Sequence, residues 1–167
     1  MNAYDLTVPV FSRLLGNLEA LLDKGAAHAE ARKFDPAVLL AARLAPDMFP
    51  LTKQVQIAAD FAKGGVARLT GAEPPKWEDT ESSIAELKAR IARTREFVES
   101  HTQAQFEGAL ERRVEIKLGG QPVALSGLDY LNRVVLPNFY FHLVTAYDIL
   151  RHNGVELGKR DFIGPLP

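Results

Sequence analysis

Apolar residues recur every three or four positions through four long stretches of the chain, and the breaks between them carry turn signals. The first stretch covers about residues 4–28. Val10, Leu14, Leu18 and Leu21 stack on one helical face, Phe11, Leu15 and Leu22 widen the stripe, and Ser12, Glu19 and Asp23 lie opposite. Asp35-Pro36 then reads as a cap and a first-turn proline, opening a short helix through Leu39, Leu40 and Leu44. Pro46 and Pro50 bracket Asp47-Met48-Phe49 as a fixed elbow. A second long helix covers about residues 51–69, with Leu51, Val55, Ala58, Ala62, Val66 and Leu69 on its apolar arc. Gly64-Gly65 weakens it by about 1 kcal/mol per glycine, or else lets a neighbouring helix approach. The third helix begins near Thr80, with Ser83 and Glu86 at capping-box spacing. Its inward residues are Ile84, Leu87, Ile91 and Val98, and Glu86, Lys88, Arg90, Arg93 and Glu96 are placed in solvent.

From Val114 the period drops to two. Val114, Ile116 and Leu118 alternate with Glu115 and Lys117, Gly119-Gly120 marks a tight turn, and Val123 and Leu125 follow. This is a β-hairpin pattern with Pro122 on an edge strand. The fourth helix covers about residues 127–153, with Leu128, Leu131, Val135, Phe139, Ala146 and Ile149 on one face. Pro137 lies inside that pattern and should kink the helix or free a carbonyl. The tail after Gly158 is expected to be extended and to dock through Phe162 and Ile163. The expected fold is all-α: one domain over residues 1–167, a four-helix bundle with a small β-hairpin between helices three and four.

Composition narrows the chemistry. With 20 basic and 21 acidic residues and a net charge of -1, no nucleic-acid or acidic-membrane partner is favoured. The chain has no cysteine, which excludes disulfides, thiolate zinc sites and cysteine nucleophiles. No stretch approaches the ~18 apolar residues of a membrane span, and no targeting segment follows Met1. The expected location is the cytoplasm.

Polar residues on buried faces are the informative ones. At 100° per residue, Asn138 and His142 fall in the arc of Leu131, Val135 and Ile149, and Gln54 falls in the arc of Val55, Ala58 and Ala62. Gln56 lies nearer the polar border. Gln54, Asn138 and His142 are thus expected to meet inside the bundle and to satisfy one another's hydrogen bonds. The trio is either a site, with His142 as ligand or base, or a structural polar network. One imidazole with two neutral amides is a poor set for a first-row metal. His28 continues the inward stripe of the first helix and is a weak second ligand candidate beside His142; His101 and His152 are expected at solvated helix ends. Trp77, Tyr140 and Tyr147 read as packing residues, and no nucleotide-binding, zinc-protease or serine-hydrolase motif is present.

Four stretches carry a resemblance: Arg43-Leu-Ala-Pro-Asp-Met-Phe-Pro-Leu51, Asn138-Phe-Tyr-Phe-His142, Ala146-Tyr-Asp-Ile-Leu-Arg-His-Asn-Gly154 and Gly158-Lys-Arg-Asp-Phe162. The chain resembles, over essentially its whole length, an uncharacterised bacterial family grouped with the DinB/YfiT-like four-helix bundles. For the wider group the resemblance implies a divalent metal, zinc or nickel, held by three histidines: one on the second helix and two in an H-x-x-x-H pair on the fourth. Several members are metal-dependent thiol transferases. Matching the fourth-helix end places those ligands at His142, Asn138 and Gln54, or less well Gln56, so one histidine of the three is kept. Two functions stay open. One is a non-catalytic ligand-binding or assembly protein, a homodimer, with a degenerate metal site. The other is a divergent thiol-transferase-like enzyme using His142 with His28 or a recruited carboxylate.

Overall fold

The computed structural model describes residues 2–165; the reading at Met1 and the outer ends of the expected domain lie outside them. The element order is α1 (Val8–Arg32), α2 (Ala37–Ala41), α3 (Leu51–Thr70), α4 (Ile84–Glu99), a 3₁₀ turn (Gln103–Phe106), β1 (Arg113–Leu118), β2 (Gln121–Ser126), α5 (Gly127–Tyr130), a π turn (Leu131–Val135), α6 (Leu136–His152) and α7 (Lys159–Ile163). The last long element is one helical run, α5 through α6, with the π turn inside it. α3 packs against α4 and α6, and α1 packs against the same two, which closes a four-helix bundle.

Local chemistry explains most boundaries. α1 starts and ends about four residues later than its pattern suggests, because Pro9 occupies the first turn, where no N–H is needed, and Lys33 in the left-handed region stops the helix. Gly25 is buried inside α1. Asp35 Oδ1 accepts from the Ala37 N–H at 2.8 Å, an Asx turn that leads into α2, whose N-cap position is Pro36. α2 stops at Ala41, and Leu44 is exposed beyond it. α4 begins at Ile84 with the full Ser83–Glu86 capping box. The hairpin pairs antiparallel, with Val114 opposite Leu125 and Ile116 opposite Val123.

Pro137 shapes the fourth helix as its chemistry requires. It has no N–H to offer the preceding turn, and the ladder shifts to π spacing over Leu131–Val135 just before it. Asn138 Nδ2 donates to the Val134 carbonyl at 2.7 Å, so a side chain serves a backbone acceptor there. Gly65 lets this segment approach: a Cβ at that position would lie 2.6 Å from Val135 Cγ1. The core is continuous from Phe11, Leu15 and Leu18 on α1 to Phe139, Leu143 and Ile149 on α6, with the Phe11 and Phe139 rings 4.6 Å apart.

Four expectations are corrected. Leu128 is exposed, because the run from α5 into the π turn meets the bundle through Tyr130 and Leu131. His101 is buried, its Nδ1 2.8 Å from the Phe97 carbonyl. Arg90 is buried among carboxylates. The tail is helical rather than extended: α7 docks on α1, with Asn17 Nδ2 donating to the Phe162 carbonyl at 2.9 Å and Lys24 pairing with Asp161 at 2.7 Å. Among the described residues no helix is long and apolar enough to cross a membrane. α6 leaves Tyr140, Phe141 and Val144 exposed on its outer side.

Candidate functional site

The structure brings Gln54 and His142 together. Gln54 sits in the first turn of α3, His142 in the middle of α6, and both side chains are buried. His142 Nδ1 lies 2.7 Å from Gln54 Oε1. Gln54 Nε2 donates to the Phe49 carbonyl at 3.0 Å. A carbonyl only accepts, so the amide nitrogen must face Phe49 and the amide oxygen must face the imidazole. That oxygen in turn requires a proton on Nδ1. The neutral ring is therefore the Nδ1–H tautomer, with its lone pair on Nε2.

The surroundings favour that neutral ring. Phe61 stacks on His142 at 6.2 Å and 11° between planes, and Phe141 meets it edge-on at 5.2 Å. Burial holds its pKa below the usual 6.5, because the imidazolium would lose hydration with no carboxylate beside it. The elbow between Pro46 and Pro50 has a role here that its turn residues alone did not show: it presents the Phe49 carbonyl that orients Gln54.

Asn138 does not join the pair. It is half-buried, and its Nδ2 is spent on Val134 one turn back. That acceptor lies on its own helix, so the helical wheel has the arc right and the partner wrong. His28 is remote as well. It packs edge-on against Phe34 at 5.7 Å and lies beside Gly154, past the end of α6. The ten residues from His142 to His152 span about 15 Å of helix. Gln56 is buried, and its Nε2 donates to Glu81 Oε2 at 2.8 Å.

These positions do not suit a divalent zinc or nickel ion. Such an ion takes three or four imidazole, thiolate or carboxylate donors. Here one imidazole nitrogen is available, Gln54 is used at both ends of its amide, and His28 is out of reach. Among the described residues, no group of three or more His, Asp or Glu side chains is placed to hold a metal.

Two features were not read from the sequence. The first is the buried Arg90. Its Nη1 meets Glu81 at 3.0 Å, and its Nη2 meets Asp60 and Asp79, each at 2.9 Å. The signal was available, because Arg90 lies three residues after Leu87 and beside Ile91, both core. The second is a cleft of about 680 Å³ between α3, the segment after it and the hairpin, lined by Phe61, Lys63, Arg68, Trp77, Glu115 and Tyr130. An adjoining cleft of about 590 Å³ shares Phe61, Arg68, Glu115 and Tyr130, and adds Ile116, Leu118, Pro122 and Val134. Phe61 thus has one role in the cleft wall and another against His142. Trp77 lies outside the apolar core, half-buried in the cleft wall, with Lys63 at 4.2 Å and Arg93 at 3.8 Å from its ring centre.

Comparison with known proteins agrees with this architecture. Residues 3–163 match the family described as a domain of unknown function, DUF1993. A crystal structure of a DinB family member from Shewanella denitrificans is 48% identical, with a TM-score of 0.91; the match covers 98% of this chain and 93% of that one. No curated protein matches the chain. The chain therefore belongs to the DUF1993 family, a DinB-like family of unknown function built on the helical bundle with an inserted hairpin.

Proposed function

We propose that this chain is a non-catalytic, small-molecule-binding member of its family in which the metal position has been replaced by a hydrogen-bonded polar pair. The observation that carries this reading is the double commitment of Gln54. Its oxygen holds His142 Nδ1 and its nitrogen holds the Phe49 carbonyl, so it has no strong donor left for a cation. A metal-dependent thiol transferase would need further ligands, and the distance to His28 supports the binding reading over that one. The clefts beside Phe61 offer a binding volume in the range of small-molecule sites.

Calorimetric titration of untagged protein with zinc and with nickel at pH 7.5 tests the proposal. The expected result is no stoichiometric binding, with wild type and His142→Ala giving the same weak heat. One tightly held zinc per chain, lost in His142→Ala, would refute it.

A further inference from the structure

We infer that the paired clefts between α3 and the hairpin form a binding site for an amphiphilic monocarboxylate, with Arg68 as the carboxylate anchor. This deepens the ligand-binding reading and rests on it. Arg68 is half-buried where the two clefts meet. Its guanidinium is folded back along its own helix. Nη1 donates to the Gly64 carbonyl at 3.3 Å and to the Tyr130 hydroxyl at 3.2 Å. Tyr130, itself buried, donates its hydroxyl proton to the same Gly64 carbonyl at 3.3 Å. Gly64 makes the fold-back feasible, since a Cβ there would stand 2.7 Å from Arg68 Nη1.

The anchored guanidinium has an open edge. Among the described residues no carboxylate pairs with Arg68, and its Nε and Nη2 have no protein partner. Those two nitrogens form the side of the fork that matches a carboxylate's two oxygens. Two of the other wall charges, Lys63 and Glu115, are already engaged. Lys63 pairs with Asp60 at 2.9 Å and lies over Trp77. Glu115 is turned to Arg113 Nε at 3.1 Å.

The balance of wall charges sets the ligand's charge. Beyond the Lys63–Asp60 pair, Lys76 and Lys117 offset Glu73 and Glu115, which leaves Arg68 as one positive charge in excess; that suits one negative charge and disfavours a phosphate dianion. The body of the ligand is set by the second cleft, where Ile116, Leu118, Pro122 and Val134 give a mostly apolar surface with Phe61. Leu118, exposed on β1, would be covered by such a ligand.

Sodium octanoate, added below its micelle concentration to the whole chain, is the probe, and backbone amide NMR shifts are the readout. Saturable shifts are expected at Gly64, Arg68, Glu115 and Tyr130. The apparent dissociation constant should rise at least tenfold for 1-octanol, which lacks the charge, and at least tenfold in Arg68→Gln. Arg68→Lys, which keeps the charge without the fork, should fall between. Equal binding of octanol and octanoate, unchanged binding in a folded Arg68→Gln, or shifts confined to other surfaces would overturn the assignment. Tighter binding of octyl phosphate than of octanoate would overturn the monocarboxylate class. Because zinc titration reads His142 and octanoate reads Arg68, failure here with no zinc bound removes this ligand class alone.

Discussion

Arg90→Ala is expected to lower the unfolding free energy by about 3 kcal/mol, the low end of the range for removing one partner of a buried charge cluster. The low end applies because two of the carboxylates keep another cation and stay partly hydrated: Asp60 retains Lys63 and Asp79 retains Lys53, and their side chains are 42% and 33% exposed. Glu81, at 12%, is left with Gln56 alone. The cluster also ties α4 to α3 and to the segment between them, so the loss should appear in the global denaturant midpoint.

Acid should reveal the same cluster. Burial disfavours charge on Asp79, but hydrogen bonding and charge from Lys53 and Arg90 outweigh it and hold the carboxyl below its ordinary 3.8. For Glu81, burial is likewise outweighed by hydrogen bonds from Gln56 and Arg90, which hold it below 4.5. Both groups ionise more readily folded than unfolded. Their contribution is therefore complete above the ordinary values and is lost as pH falls through the lower folded ones. Arg90→Ala should flatten that acid limb. His142 adds a separate loss that begins near 6.5, where the unfolded chain takes up a proton the buried ring resists.

Gly127→Ala is the second large effect, and it concerns the hairpin's attachment. Gly127 opens α5 directly against the chain leaving the 3₁₀ turn, where the Leu128 N–H donates to the Leu110 carbonyl at 2.9 Å. A Cβ at Gly127 would lie 1.8 Å from the Ala109 carbonyl oxygen. The obstacle is backbone, so no rotamer change relieves it. The expected cost is about 3 kcal/mol, the upper part of the usual overpacking range, measured as a shift in denaturant midpoint. Gly158→Ala is the control. Its nearest neighbour would be 3.9 Å away at the end of the Asp161 side chain, and its cost should stay within about 0.5 kcal/mol.

Periodicity carried the fold because four apolar stripes of this length have few ways to be buried other than against one another. The Ser83 capping box, the hairpin and the Pro137 disturbance were also readable, since each depends on residues within a few positions of one another. The convergence of Gln54 with His142 followed from helical phase alone. Asn138 was misplaced because the wheel tells which way a side chain faces and not which acceptor it takes, and the Val134 carbonyl one turn back is within its reach. Arg90 was misread because charge was weighed above phase; its carboxylates come from α3 and from residues 79 and 81, whose position no period predicts. The clefts were not legible at all. They depend on how the hairpin leans over α3, and no motif encodes that angle.

One proton separates the two possible states of the interior pair. Nitrogen NMR of the imidazole at pH 7 reads it directly. A neutral His142 protonated on Nδ1, with Nε2 bare and its signal unmoved by equimolar zinc, is the outcome expected from the Gln54 geometry. A cationic ring at that pH, a proton on Nε2 instead, or a nitrogen signal shifted by zinc would contradict it.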